Sequence, residues 1–228
     1  SLTGGAGTDT FKVDVGTDTI TDLGGASGGE TDVLIVSAGA TANATNITSF
    51  TADSSTSNSG TANLTTKVGG GTIDIGNSTT GAYSLTGLSG NDTLKGNGNA
   101  DIINGGGGDD NIDGRGGNDE INGGAGDDII TVSSAGQGDG DTIDGGSGTD
   151  TLSLSSGSHA FATDAKLQNI NSITLASTST VIDLTGQTES LTITGGAQAD
   201  TITAGSGDDI INGAGGADII KGAGGIDT

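Results

Sequence analysis

The sequence lacks several residue types altogether, and each absence narrows the class of protein. Its 228 residues include no cysteine, proline, methionine or tryptophan, and only three phenylalanines and one tyrosine. Without cysteine there is no disulfide and no thiolate metal site. No apolar run approaches the roughly 18 residues that a membrane-spanning helix needs, so no transmembrane segment is expected. So few large apolar side chains argue against a thick hydrophobic core.

Positive charge is also scarce. The sequence has six basic residues against 29 acidic ones, and its formal net charge is −23. The basic residues are Lys12, Lys67, Lys95, Arg115, Lys166 and Lys221. They leave no basic patch for phosphate groups, so a nucleic-acid partner is not expected.

Glycine and aspartate are abundant instead. There are 47 glycines without a Gly-X-Y period, which excludes collagen. Nearly all the acid is aspartate, since only Glu30, Glu120 and Glu189 are longer. A short carboxylate held at a turn explains this bias better than a need for solubility does. The sequence opens and closes within Gly- and Asp-rich stretches, at residues 4–9 and 222–227. This predicts a segment of a longer repetitive protein, so targeting signals could lie outside it.

Residues 87–131 consist of five consecutive nine-residue units. In every unit position one is Gly, position six is Asp and position eight is Leu or Ile. Glycine-rich positions favour a tight turn, because Gly adopts positive φ without steric cost. The last three positions then form a short strand with its middle side chain inward. One such strand buries too little apolar area to be stable alone, so the units must stack.

Stacking two units per coil places residues eighteen apart above one another. Ile103 then lies over Ile121, while Leu94, Ile112 and Ile130 form the opposite row. The same arrangement puts Asp92, Asp110 and Asp128 along one edge, and Asp101 with Asp119 along the other. Carboxylates spaced by roughly 4.8 Å repel one another unless a cation lies between them. Calcium suits that gap, because it takes six to eight oxygen ligands from carboxylates and carbonyls.

The pattern G-G-x-G-x-D-x-U-x, with U a large apolar residue, resembles the hemolysin-type calcium-binding repeat of RTX proteins. Similar units occur at 4–12, 136–144 and 145–153, and a second block begins at 195. The resemblance implies an all-β fold, a parallel β-roll or β-helix solenoid with calcium-filled Gly/Asp-rich turns and several ions. The implied ligands are the position-six side chains of Asp9, Asp92, Asp101, Asp110, Asp119, Asp128, Asp141, Asp150, Asp200, Asp209, Asp218 and Asp227. Main-chain carbonyls are expected to complete the shells, with Gly105, Gly107, Gly114, Gly116, Gly123 and Ala125 as candidates.

Five segments follow from where the repeat is strong or weak. They are degenerate units at 1–36, Ser/Thr/Ala-rich coils without calcium motifs at 37–84, the main block at 85–153, calcium-poor coils at 154–194, and a second, truncated block at 195–228. Residues 37–84 can be a linker or strands that continue the solenoid, and strands are favoured. Ile173, Ile182 and Leu191 keep the nine-residue spacing, which predicts one continuous solenoid. Only 160–169 has helical spacing, sufficient for a single turn.

Catalysis is not predicted. His159, the only histidine, lies among Ser and Gly and is expected in an exposed loop. Adjacent acids such as Asp109 and Asp110 could suggest a glycosidase pair, but they are positions five and six of the repeat. No nucleophile elbow or zinc-type histidine motif is present.

The favoured function is a calcium-binding structural segment of a secreted, extracellular bacterial cell-surface protein, an S-layer subunit or large adhesin. It would fold into a rigid rod on meeting extracellular calcium. Possible further partners are other copies in a surface lattice, or a cell-surface polysaccharide. The alternatives left open are the calcium-dependent C-terminal module of a type I-secreted enzyme (a metalloprotease or polysaccharide epimerase) and the repeat region of an RTX toxin.

Overall fold

A computed structural model describes residues 1–24, 31–133, 140–161 and 163–228. These residues form short parallel strands, and consecutive turns of the chain stack on one another. The predicted all-β parallel solenoid is therefore confirmed. No helix in these ranges has the length and apolar character that crossing a membrane requires.

Four parallel sheets make up the sides of the solenoid. The first face has nine strands: β5 (Ser49–Thr51), β8 (Thr72–Asp74), β10 (Thr93–Lys95), β12 (Asn111–Asp113), β14 (Ile129–Val132), β16 (Thr151–Leu154), β19 (Ser172–Leu175), β21 (Thr192–Thr194) and β23 (Ile210–Asn212). The second face has eight: β2 (Thr17–Ile20), β4 (Thr41–Ile47), β7 (Thr61–Thr66), β9 (Ser84–Thr86), β11 (Ile102–Gly107), β13 (Glu120–Ala125), β15 (Thr142–Ser147) and β18 (Leu167–Gln168).

Two smaller sheets lie at the ends. The N-terminal face consists of β1 (Thr10–Val13), β3 (Val33–Val36) and β6 (Ser57–Asn58). The C-terminal face consists of β17 (Gly157–Ala160), β20 (Thr180–Asp183), β22 (Thr201–Thr203) and β24 (Ile219–Lys221). The single 3₁₀ turn of the described residues, Asp164–Lys166, lies within the stretch predicted to hold one helical turn.

The number of sides changes along the solenoid. From β9 to β16 the chain alternates between the first and second faces, and Leu94 pairs with Ile112, eighteen residues later. Ile103 pairs with Ile121 on the opposite face, as the repeat predicts. Elsewhere a coil can visit a third face, as β4, β5 and β6 do in succession. Such coils need more residues, so Phe50 pairs with Ile73, twenty-three residues later.

The core is a thin column of inward side chains. The three-residue strands β10 and β12 bury only their middle residues, Leu94 and Ile112, and the longer strands β11 and β14 direct Ile103 and Ile130 inward. All four side chains are at most 1 % exposed. One contiguous apolar cluster runs from Phe11 to Ala204. Because each coil adds few large side chains, apolar burial per coil is small.

The prediction of an exposed loop at His159 is wrong. His159 lies in β17 opposite Ile182 and is 1 % exposed. Its Nε2 lies 3.0 Å from the carbonyl oxygen of Ser155. The polar neighbours Gly157 and Ser158 suggested a turn, but strand alternation directs every second side chain inward.

Candidate calcium-binding turns

The position-six aspartates are buried where each turn enters a strand. Asp92, Asp101, Asp110, Asp119, Asp128, Asp141, Asp150, Asp200 and Asp209 are all at most 3 % exposed. Each stands two residues before the inward apolar residue, at the end of the glycine-rich turn. A buried carboxylate is costly unless it is hydrogen-bonded and its charge is compensated.

One oxygen of each carboxylate joins two coils. The Oδ1 atom accepts a hydrogen bond from the backbone N–H at the equivalent position of the preceding coil. That position is another aspartate for Asp110, Asp119, Asp128, Asp141 and Asp150, and it is Gly71, Tyr83, Thr180 or Leu191 for Asp92, Asp101, Asp200 and Asp209. Asp110 Oδ1 accepts from Asp92 N at 2.7 Å, and Asp128 Oδ1 accepts from Asp110 N at 2.8 Å. On the other edge Asp119 Oδ1 accepts from Asp101 N at 2.8 Å. The two predicted aspartate files therefore exist, held together by these amide–carboxylate bonds.

The second carboxylate oxygen, Oδ2, is unpaired in six of these aspartates. Among the described residues, the buried Oδ2 atoms without a hydrogen-bond partner belong to Asp92, Asp110, Asp119, Asp128, Asp150 and Asp209. An unpaired buried acceptor costs roughly 1–3 kcal/mol, and more when it is charged. A bound cation removes that cost, so these atoms point to a metal ligand.

Position-one glycines leave room beside these oxygens. A Cβ atom on Gly105 would collide with Asp110 Oδ2 and with the carbonyl oxygen of Gly123 in the next coil. A Cβ on Gly123 would likewise collide with Asp128 Oδ2. Glycine at these two positions thus preserves a space lined by a carboxylate oxygen and by a carbonyl oxygen from the next coil.

The candidate carbonyls divide by position. Those of Gly105, Gly114 and Gly123 face the position-one glycine of the preceding coil, beside its aspartate Oδ2. The carbonyls of Gly107 and Ala125 instead accept hydrogen bonds from Gly90 N (2.6 Å) and Gly108 N (2.7 Å). For Gly116 the structure gives a hydrogen bond from its amide to the Asn97 carbonyl, at 3.0 Å. Ligation of calcium by any of these carbonyls stays a prediction.

Five of the predicted ligands differ from the common pattern. Asp101 and Asp200 have both carboxylate oxygens paired with backbone amides. Asp9, Asp218 and Asp227 are partly exposed, although the Oδ2 of each still lies against its own position-one glycine. Asp141 accepts from Asp119 N at 2.8 Å through Oδ1, like the central members of its file. Their roles as ligands also stay predictions.

Two residues of the files were missed by the sequence analysis. Asp32 is 2 % exposed and accepts hydrogen bonds from Asp9 N (3.0 Å) and Gly24 N (2.7 Å). Asn171 accepts from Asp150 N at 2.6 Å and so extends the file with an uncharged side chain. Each stands two residues before an inward apolar residue, Leu34 or Ile173, and that spacing could have identified both.

Burial raises the pKa of these carboxyls. Desolvation is the largest cause for Asp101, Asp110 and Asp141, whose pKa rises to about 6, and for Asp119, whose pKa rises to about 8. Hydrogen bonds from backbone amides oppose the shift, while the neighbouring carboxylate Asp141 raises the pKa of Asp119 further. Without a bound cation, burial therefore disfavours the charged form of these carboxyls, and a cation would stabilise it.

The donor set fits calcium better than a transition metal. Over the described part of the chain, no three Asp, Glu, His or Cys side chains are grouped to hold a metal together. A bound ion must therefore draw most of its ligands from main-chain carbonyls or water. Calcium accepts such all-oxygen shells with flexible geometry, whereas zinc and copper favour nitrogen or sulfur ligands.

Comparison with known proteins agrees with this geometry. The profile of a family described as RTX calcium-binding nonapeptide repeat matches residues 1–26, 79–112, 105–134, 135–158 and 192–228. These ranges cover more than half of the chain and include all five central units. No curated protein and no solved structure matches the chain significantly.

Proposed function

The chain belongs to the RTX calcium-binding nonapeptide repeat family, and from this we propose that it is a rod-forming segment of a secreted bacterial cell-surface protein. It is a calcium-binding structural module. The proposal adds that calcium outside the cell folds the segment, and that the parent is an S-layer subunit or a large adhesin.

The unpaired buried oxygens are the observation that carries the proposal. Six unpaired Oδ2 atoms are buried in these turns, beside a thin core to which each coil adds few large side chains. At low calcium these charges and the glycine-rich turns disfavour folding. Sites of the extracellular class have dissociation constants of roughly 10⁻⁴–10⁻³ M, so millimolar calcium fills them. A site at ten times its dissociation constant contributes about 1.4 kcal/mol, and several sites together outweigh the deficit.

The interleaved architecture favours a surface rod over an enzyme accessory module or toxin repeat. Coils with three sides, such as β4 to β6 and β16 to β18, alternate with the two-sided calcium block. They lengthen the first face to nine strands, roughly 40 Å at sheet spacing, without adding position-six aspartates. Their outward Thr and Ser side chains suit contact with a neighbouring rod or a polysaccharide.

Far-ultraviolet circular dichroism during a calcium titration tests the proposal. The chain is purified in chelator and titrated to about 10 mM calcium, with the same magnesium concentrations as control. We expect strand signal to appear cooperatively with calcium and not with magnesium, which demands a smaller octahedral site. Full strand signal in excess chelator would show that folding does not depend on calcium.

A further inference from the structure

The turns adopt different backbone conformations at position two. Gly5, Gly106, Gly124 and Ala223 have positive φ there without the local hydrogen bond described next. In the units of Asp119, Asp150 and Asp218 the residue at position two has positive φ (Arg115 65°, Gly146 97°, Ala214 61°). Its amide donates to the side-chain oxygen of the residue two places earlier, which is position nine of the preceding unit. These bonds are Arg115 N to Asp113 Oδ1 (3.0 Å), Gly146 N to Asp144 Oδ1 (3.0 Å) and Ala214 N to Asn212 Oδ1 (2.9 Å).

In the other conformation the position-two amide pairs with the Oδ2 atom of the aspartate in its own turn, and we call such a turn closed. Asn97 and Gly196 are absent from the positive-φ residues, and each donates its amide to the aspartate of its own turn. The bonds are Asn97 N to Asp101 Oδ2 and Gly196 N to Asp200 Oδ2, both 2.8 Å. Position nine of the preceding units holds Lys95 and Thr194. Lys has no acceptor, and Thr forms the local turn more weakly than Asp or Asn does.

The residue at position nine therefore correlates with the state of the ion-facing oxygen. After Asp113 and Asp144, the Oδ2 atoms of Asp119 and Asp150 are buried and unpaired. After Lys95 and Thr194, the corresponding oxygens of Asp101 and Asp200 are satisfied by a neutral N–H. Asp92 follows Thr86 and its Oδ2 is unpaired, and Ala223 has positive φ (70°) although it follows Lys221. A residue other than Asp or Asn therefore permits closure without enforcing it.

We propose that Asp113 and Asp144 are positioning residues that keep the following turn open for calcium, and that Asp101 and Asp200 are closed by their own turns and bind no ion. The proposal rests on the calcium binding argued above, and it departs from the expectation that every position-six aspartate is a ligand. Asp113 matters most, because Arg115 is not glycine and positive φ is unfavourable for a residue with a side chain. Without the bond from Asp113, Arg115 relaxes and its amide turns towards Asp119.

Counting bound calcium on variants of the whole chain tests this. Equilibrium dialysis and calorimetric titration give the number of ions and their affinities. For Asp113→Thr we expect one ion to be lost or bound at least tenfold more weakly. Asp113→Asn keeps the acceptor but removes the charge, and it should retain the ion count of the wild type. Lys95→Asn supplies the missing acceptor before Asn97 and should add one ion, at Asp101.

Asp183→Thr is the matched control. Asp183 Oδ1 accepts from Thr185 N at 3.0 Å in the same local turn, but position six there is Glu189. Its ion count should equal that of the wild type. If Asp113→Asn loses the ion as Asp113→Thr does, Asp113 acts through its charge and the positioning role is overturned.

Different results would overturn the proposed function and the positioning role. A wild-type chain that binds no calcium defeats the proposed function. A wild-type chain that binds calcium, with unchanged counts in both Asp113→Thr and Lys95→Asn, defeats only the positioning role. Lys95→Asn adds a site rather than removing one, so it decides the question even if Asp113→Thr fails to fold.

Discussion

At the scale of single residues, the position-six aspartates with an unpaired Oδ2 use their two oxygens differently. In Asp110 the Oδ1 atom binds the amide of Asp92, and the Oδ2 atom lies unpaired beside Gly105. The first contact needs only an acceptor, whereas the second needs a positive charge. Asparagine supplies the first without attracting a cation, as Asn171 does in the same file.

Substitutions of Asp110 separate these contributions. In chelator, Asp110→Asn should be at least as stable as the wild type, because it keeps the acceptor and removes a buried charge. Asp110→Ala should lose about 1–3 kcal/mol, since the Asp92 amide is left buried and unpaired. Urea unfolding with and without calcium measures both, and calcium should stabilise both variants less than the wild type. Equal losses for Asn and Ala in chelator would contradict the two-part role.

The raised pKa values predict how acid affects the calcium-free fold. Asp101, Asp110, Asp141 and Asp119 have an ordinary pKa of 3.8 when unfolded and about 6, 6, 6 and 8 when folded. Between these limits the folded chain binds protons that the unfolded chain releases, so its stability rises as pH falls from about 8 to about 4. Below the unfolded value both states are protonated and the gain is complete.

Melting temperatures in chelator across this pH range test that sign. Acid should have the opposite effect on calcium affinity, because protons compete with the ion for the same carboxylates. The calcium midpoint should therefore move to higher concentration as pH falls. If the melting temperature in chelator fell as the pH was lowered from about 8 to about 4, groups other than these aspartates would dominate the pH dependence of stability.

At the scale of the turn, glycine at position one keeps space for oxygen atoms. In Gly105→Ala the added methyl would overlap Asp110 Oδ2 and the Gly123 carbonyl. We expect a loss of about 1–3 kcal/mol from overpacking, together with weaker calcium binding. Gly98→Ala, in the neighbouring turn, is the control, because its Cβ would meet nothing within 4 Å and its φ is not positive. Thermal unfolding and calcium titration should show a clear loss for Gly105→Ala and little change for Gly98→Ala. Equal effects would show that the space beside Asp110 Oδ2 has no special role.

The sequence predicts the two-sided coils well, because their residues repeat without interruption. The pairing of Ile103 with Ile121 and the aspartate files both follow from an eighteen-residue coil. The three-sided coils could not be predicted, since their Ser- and Thr-rich strands have no fixed period. The burial of His159 was missed because a polar context resembles a loop when strand register is unknown. Closure of Asp101 depends on backbone φ at Asn97, which the repeat pattern does not encode.

At the scale of the whole molecule, like charge opposes the stack. The net charge is −23, and the files place carboxylates in successive coils on both edges of the solenoid. Among ion pairs of the described chain, Arg115 with Asp74 at 3.1 Å ties the calcium block to a preceding coil. One such pair offsets little of this repulsion.

Ionic strength should therefore stabilise the calcium-free rod. Raising sodium chloride from about 20 mM to about 500 mM shortens the screening length from roughly 20 Å to roughly 4 Å. We expect the melting temperature in chelator to rise by a few degrees, and by less at millimolar calcium, where the charge is already compensated. Choline chloride at equal ionic strength separates screening from sodium binding. An unchanged or lower melting temperature in chelator would exclude repulsion as the main obstacle to folding.

The amide–carboxylate bonds between coils also bear on which ion the protein accepts. Because Asp110 and Asp128 set the distance to the preceding coil through Oδ1, that distance does not wait for a metal to define it. The space between two turns then has a width set by the backbone, and we expect an ion to bind only if its size fits that width. Ionic radius, more than charge alone, becomes the property by which a cation is admitted or refused.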